Sequence, residues 1–450
     1  MCGQSHESAN AMSDNPGLAR RHWCLPHRMR GITSVFLGIV CASVMAGPSS
    51  SQAPTPPGPI VTGAEAFAAS RFAEVAGKRV GLVTNHTGRV RGEHLADVLS
   101  KAPNVKLTAI FAPEHGFRGT AEAGAKVRDG VDAKTGVRVF SLYGASRKPT
   151  PRMLHDVDVL VFDIQDIGVR FYTYISTMGL AMQAAAAARI PFVVLDRPNP
   201  LGGDYVSGFV LEPALRSFVG QYPIPIVHGL TVGELARMIQ GEKWLEGLDG
   251  LQLSVVAMQG WQRSMRWPQT GQAWVATSPN IPTFESALVY PGIGIVGETD
   301  INEGRGTPTP FGVFGAPWID ATRMVARLDG LGLSGVRFEA TTYTPRSILG
   351  VATRPRFEGT KIKGARVVVT DVARIEPLEI GMHVLAALVA EARSKGSVRL
   401  FGKLGMFHAI AGTKRLHRML EAGESGTAIA AAWQTEVAQF KARRARYLLY

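Results

Sequence analysis

The chain has 450 residues, 46% of them apolar and 19% charged, with a net charge of +13. That is the composition of an ordinary globular protein, and the length is too great for one compact core, so two domains are expected. The basic residues are scattered, with no interleaving of aromatics, which argues against a nucleic-acid partner; the positive balance suits a carboxylate-bearing polymer.

Arg20, Arg21, Arg28 and Arg30 precede an uncharged apolar run from Ile32 to Ala46, which ends Val44-Met45-Ala46 and turns polar at Gly47. Basic patch, apolar stretch and small-residue end are the parts of a secretory signal. Residues 1–46 are therefore expected to be a signal peptide, with Met29 a tidier start than Met1. The run is shorter than the about 20 apolar residues of a membrane span, so the protein is expected to be secreted, periplasmic or extracellular, with no stable span after cleavage. Cys2, Cys24 and Cys41 all precede the cut, which leaves no disulfide framework and no Cys-ligated metal. Cys41 does not read as a lipid-attachment site, because the apolar stretch continues past it and Gly38 stands where Leu is expected. Removing 1–46 takes away four basic and two acidic groups and lowers the charge to +11. Pro54, Pro56, Pro57 and Pro59 make 47–60 an extended linker.

From residue 78 short β-branched runs alternate with helical patterns, the signature of βαβ units and a parallel sheet. Strands are expected at Arg79–Thr84, Lys106–Phe111, Arg138–Leu142, Asp158–Ile164, Pro191–Leu195 and Leu251–Val256. Helices are expected at His94–Ser100, Ile175–Arg189 and Thr231–Gln240, the last opened by the capping box Thr231-x-x-Glu234. Residues 288–315, dense in Gly and Pro, read as a long ordered loop. A helix (Ala321–Gly330), strands (Gly335–Thr341 and Arg366–Thr370), a long helix (Ile380–Lys395) and a helical end (Ser425–Tyr447) follow. The fold class is thus α/β: a parallel-sheet catalytic domain over 61–282 and a smaller α+β domain over 283–450.

Ligands of open parallel sheets bind beyond the carboxyl ends of the strands. Those ends read Asn85-His86, Glu114-His115-Gly116, Tyr143, Asp163-Ile164-Gln165-Asp166 and Asp196-Arg197-Pro198-Asn199. Glu114, constrained by Pro113 and flanked by Phe111 and Phe117, suits a general acid. His115 either orients it or contacts substrate. Arg170 sits in the aromatic stretch with Tyr172, suited to ring stacking, and Arg197 can hold a carboxylate bidentately. A second cluster, Gly297-Glu-Thr-Asp-Ile-Asn-Glu-Gly-Arg-Gly306, offers Glu303 as the preferred second carboxylate, with Asp166 as the other candidate and Arg305 as an anion ligand.

Gly292-Ile-Gly294-Ile-Val-Gly297 spells a dinucleotide fingerprint but lacks the strand before and the helix after that the fingerprint needs. No Walker A, H-E-x-x-H or G-x-S-x-G pattern is present, and no cofactor or metal is expected. Trp261, Trp267 and Trp274 suit sugar stacking or core packing.

Eight stretches in order along the chain, Gly81–Asn85, Ala112–Gly116, Ser141–Gly144, Asp163–Asp166, Phe171–Tyr174, Leu195–Pro200, Ser278–Asn280 and Asn302–Gly306, resemble the exo-acting β-N-acetylmuramidases. The resemblance implies a Rossmann-like N-terminal domain, a smaller C-terminal domain and an active-site cleft between them. It implies release of N-acetylmuramic acid from the non-reducing end of peptidoglycan fragments, with Glu114 as catalytic carboxylate among His115, Asp196, Arg197, Glu303 and Arg305. Asn85, Asp163, Gln165, Arg170, Tyr172, Asn199 and Asn280 complete the expected substrate-binding set. Glu298 and Asp300 carry little support from the resemblance. A non-catalytic muropeptide-binding protein and a secreted esterase, with Ser141 or Ser278 as nucleophile, are the competing readings.

Overall fold

In the first strand, β1 (Arg79–Thr84), Val80 and Leu82 face one apolar cluster and Val83 faces another. This period of two is that of a strand buried on both sides. The computed structural model describes residues 58–119, 124–125 and 128–450; the expected signal peptide and most of the linker lie outside the described residues. The last linker residue, Ile60, is buried with Met258, Trp261 and Met265.

The larger sheet follows in chain order from β1. A two-residue hairpin, β2 (Arg89–Val90) and β3 (Glu93–His94), precedes β4 (Lys106–Ala112), β5 (Gly130–Val131), β6 (Arg138–Ser141), β7 (Val159–Asp163), β8 (Phe192–Leu195) and β9 (Leu253–Val256). The sheet order is β5-β6-β4-β1-β7-β8-β9. All its pairings are parallel except that of β5 with β6. Numbered among themselves, the parallel strands run 3-2-1-4-5-6, the doubly wound order, in which the winding reverses between β1 and β7. Helices α1 (Gly63–Ala69) and α2 (Leu95–Ser100) cover one face. On the other face lie α3 (Tyr174–Ala188) and α4 (Val232–Gly241). The capping box expected at Thr231 is formed: Thr231 accepts from Glu234 N, and the Glu234 carboxylate accepts from Thr231 N.

The smaller layer is a three-stranded antiparallel sheet, β10 (Val313–Ala316), β11 (Val336–Tyr343) and β12 (Ile362–Val369), ordered β10-β12-β11. It packs against α6 (Ala321–Asp329), which in turn contacts α7 (Pro377–Lys395). The chain then closes with α8 (Leu404–Ala411), α9 (Arg415–Ala422), α10 (Gly426–Ala431) and α11 (Gln434–Arg444). The structure corrects the loop expected at 288–315, because its first part belongs to helix α5 (Phe284–Val296), capped by Thr283. Pro291 lies inside it, and Gly292 faces Gly381 of α7 so closely that a Cβ on Gly381 would stand 2.3 Å from Gly292 Cα. The glycines that read as loop punctuation are the contact at which two backbones meet.

Candidate active site

Strand β4 delivers Ala112 to a tight turn in which Gly116 N bonds Pro113 O at 3.0 Å. His115 and Gly116 both take positive φ, 70° and 77°. A non-glycine residue in that region is uncommon and marks a backbone held by its surroundings. The turn lifts Glu114 onto the rim of the sheet. There its Oε2 accepts from Thr173 Oγ at 2.6 Å and its Oε1 from Gly124 N at 2.9 Å. Tyr143, beyond β6, also bonds Glu114; burial, then the charge and hydrogen bond of Glu114, push its phenol up to about 12. Three donors thus fix the direction of one carboxylate.

Glu114 looks into a cavity of about 240 Å³. The sheet rim supplies Glu114, His115 and Tyr143, and the segment after β7 supplies Phe171, Tyr172, Thr173 and Tyr174. Ser278, Asn280, Ile281, Tyr290, Glu298, Arg305 and Phe311 form the opposite side, and Met406 and Ile410 of α8 close it with Val219. The rings interlock edge to face: Tyr290 meets Phe311 at 4.7 Å and Tyr172 at 6.1 Å between centroids. Asn280 donates to Val351 O at 2.6 Å, while its Oδ1 is buried without a partner; such an acceptor calls for a donor from a ligand or water.

The Asn302–Gly306 loop is fixed by its own residues. Asn302 donates to Arg305 O and Arg356 O and accepts from Gly304 N. Gly304 and Gly306 turn the chain at φ 84° and 78°, and a Cβ on either would collide with backbone carbonyls. Arg305 Nε then pairs with Glu303 Oε1 at 2.6 Å.

Of the expected site residues, Glu114, His115, Tyr172, Asn280 and Arg305 line this cavity. The others do not, for physical reasons that differ. Glu303 is turned away onto Arg305, over the bare Cα of Gly297. The carboxyl that reaches the wall from this loop is Glu298, its pKa raised by burial and then by the charge of Glu303. Arg170 is fully buried and donates to the carbonyls of Phe209, Ile224 and Ile410, binding α8 to the rest of the fold. Asp163 forms a buried bidentate pair with Arg197. Asp196 accepts from Gly233 N, Thr231 Oγ and the Tyr450 hydroxyl at the start of α4. Asn199 closes its own turn through Leu201 N and Leu230 O, and Asn85 accepts from Thr87. Gln165 donates to Asp166 O and Pro198 O. Tyr143, Thr173, Tyr290, Phe311 and Met406 are among the wall residues beyond the expected set; Tyr143 carried a signal as a polar strand end and Thr173 as part of the Phe171–Tyr174 stretch.

Asp166 stands apart from the cavity. It lies fully buried off the cavity wall, with Oδ2 accepting from Gly168 N at 2.7 Å and Oδ1 unpartnered. Burial pushes its carboxyl from 3.8 up to about 7, against the backbone donors of Gly168 and Ile167. A carboxyl raised in the folded state contributes stability below its unfolded pKa and loses it as pH rises through the folded one. Asp166→Asn is therefore expected to raise the thermal midpoint at pH 8, by the equivalent of about 2–4 kcal/mol, with little change at pH 4. Asp196, also pushed up to about 7 by burial, should leave a residual slope. Turnover by Asp166→Asn should stay within a few-fold of wild type; a loss of a hundredfold would return Asp166 to the catalytic set.

Among the described residues no group of His, Cys, Asp and Glu has the arrangement of a metal site, and no helix is long and apolar enough to cross a membrane. A fixed carboxylate, a second carboxyl, an arginine and a cage of rings around one cavity are the groups that a carbohydrate-cleaving site uses. The chain belongs to the exo-β-N-acetylmuramidase NamZ family: the N-terminal family model matches residues 80–285 and the C-terminal one residues 288–450. It is 41% identical over 417 residues to the peptidoglycan β-N-acetylmuramidase NamZ of Bacillus subtilis (strain 168), covering 92% of this chain and 97% of that one. Two crystal structures of DUF1343 family proteins from Bacteroides fragilis NCTC 9343 are similar. One aligns with a TM-score of 0.80 and 40% identity over 88% of this chain and 100% of its own. The other has a TM-score of 0.70 and 34% identity, over 87% and 99%.

Proposed function

We propose that the protein is an exo-acting β-N-acetylmuramidase that removes N-acetylmuramic acid from the non-reducing end of peptidoglycan fragments. The observation that carries this reading is the single cavity shared by Glu114 and Arg305. At about 240 Å³ it falls below the roughly 300–1,000 Å³ of sites for drug-sized ligands, which suits one substituted sugar ring at a chain end. Glu114 protonates the leaving oxygen, held in aim by Thr173, Tyr143 and Gly124. Arg305 takes the lactyl carboxylate, and Asn280 Oδ1 accepts from the acetamido N–H or a ring hydroxyl. The basic patch and apolar run before Ala46 deliver the enzyme across the membrane to the wall polymer.

Glu298 is the less suitable nucleophile, because burial and then the charge of Glu303 raise its pKa and so disfavour the carboxylate form. That favours the substrate's acetamido oxygen as the group that attacks the anomeric carbon while Glu114 gives its proton to the departing oxygen. Water then opens the cyclic intermediate as Glu114 takes a proton back. The β-anomer of N-acetylmuramic acid is expected as the first product by proton NMR, before mutarotation; an initial α-anomer would exclude this route. Incubation with the N-acetylmuramic acid–N-acetylglucosamine disaccharide tests the function itself, with both free sugars expected. Binding without release would leave the non-catalytic reading, and ester cleavage alone would leave the esterase reading.

A further inference from the structure

Gln165 and Arg197, expected beside Glu114, line a second cavity of about 120 Å³. It lies at the ends of β1, β7 and β8, where the winding reverses and where doubly wound folds open a crevice for ligands. Two of its lining residues each carry a buried polar atom without a partner. Gln165 is 4% exposed, and both bonds of its Nε2, at 2.8 Å to Asp166 O and Pro198 O, fix the amide so that the orphan atom is the acceptor Oε1. Trp267 is 7% exposed, and its indole N–H is the second orphan, a donor. A buried acceptor and a buried donor left open on one small cavity call for an occupant that offers both.

The hairpin of β2 and β3 supplies charge. Its two-residue turn takes positive φ at Arg91 (48°) and Gly92 (84°), a geometry that favours Asn-Gly and that an arginine adopts at a cost. Arg89 and Arg91 both line the cavity, and neither has a carboxylate partner among the described residues. Among the described residues the Arg89 guanidinium bonds only the carbonyls of His86 and Gly92. Arg197, by contrast, is neutralised by Asp163. The remaining wall charge is Glu65, whose hydrogen bonds to Thr62 both fall on Oε2.

We propose that this cavity binds a small zwitterionic α-amino acid. The ammonium meets Gln165 Oε1 and Glu65, and the carboxylate meets Arg89, Arg91 and the Trp267 N–H. At about 30 Å³ per water the space holds roughly four waters, enough for glycine, alanine or serine. The site is separate from the Glu114 cavity, so it stands or falls independently of the muramidase reading.

The test is titration of the full protein with glycine, D-alanine and L-alanine by calorimetry or saturation-transfer NMR, with lactate as a carboxylate of similar size that lacks the ammonium. Saturable binding of an alanine enantiomer is expected, with lactate at least about tenfold weaker, since each charged contact is worth about a decade in affinity. Arg91→Asn, which suits the turn and removes the charge, should weaken alanine binding about tenfold without lowering the thermal midpoint. Arg89→Gln serves as a second variant read the same way. The assignment is overturned if no amino acid binds saturably at tens of millimolar, if lactate binds as tightly as alanine, or if both arginine variants bind as wild type does.

Discussion

Replacing Glu114 by Gln is expected to lower kcat on the muramic acid–glucosamine disaccharide by about 10²–10⁴-fold, the usual worth of a positioned general acid. The substitution is nearly isosteric. Gln retains one oxygen to accept from Thr173 or Gly124, so a thermal midpoint close to wild type should accompany the loss. The leaving group separates the acid role from a merely structural one. An aryl muramide with an acidic phenol departs without needing a proton, so its kcat/KM, which reports the first step alone, should suffer much less than that of the disaccharide. Equal losses on both would point to another role for Glu114, and near-normal turnover of the disaccharide would sink the assignment.

The parallel sheet was legible because buried strands read as apolar runs: Val159–Asp163 and Phe192–Leu195 are buried throughout. Helix α5 was not, because its Pro and Gly are local helix breakers and its stability comes from packing against α7, which local sequence does not show. The rim of polar strand ends was equally visible, but visibility did not separate two uses of a polar residue. Asp163, Asp196 and Asn199 hold the loops that follow their strands, whereas Glu114 faces space. Both uses need a carboxylate or amide after a strand, and only three-dimensional placement tells them apart. The same holds for Glu298 and Glu303, five residues apart on one loop. Which one reaches the wall is decided by the turns at Gly304 and Gly306 and by the pairing of Glu303 with Arg305.

Arg305 is expected to be the residue that distinguishes muramic acid from glucosamine, since the two sugars differ by the lactyl ether and its carboxylate. Its Nε is committed to Glu303, and its guanidinium lies 5.4 Å from the Phe311 ring centre, which leaves the two Nη nitrogens as donors for an anion. Free N-acetylmuramic acid should bind Arg305→Ala about 10²-fold more weakly than wild type, the usual cost of truncating one partner of a buried charge pair. Free N-acetylglucosamine should lose much less. The comparison matters because the truncation also strands Glu303, 8% exposed, without its cation, a disturbance that costs a few kcal/mol in stability and affects both sugars. Calorimetry with the two sugars on one variant cancels that shared damage and leaves the carboxylate contact. Arg305→Lys keeps the charge but loses the planar fork, so it should fall between the two. If both sugars weaken by the same factor in Arg305→Ala, the arginine only holds the loop, and recognition of the lactyl group must come from elsewhere on the wall.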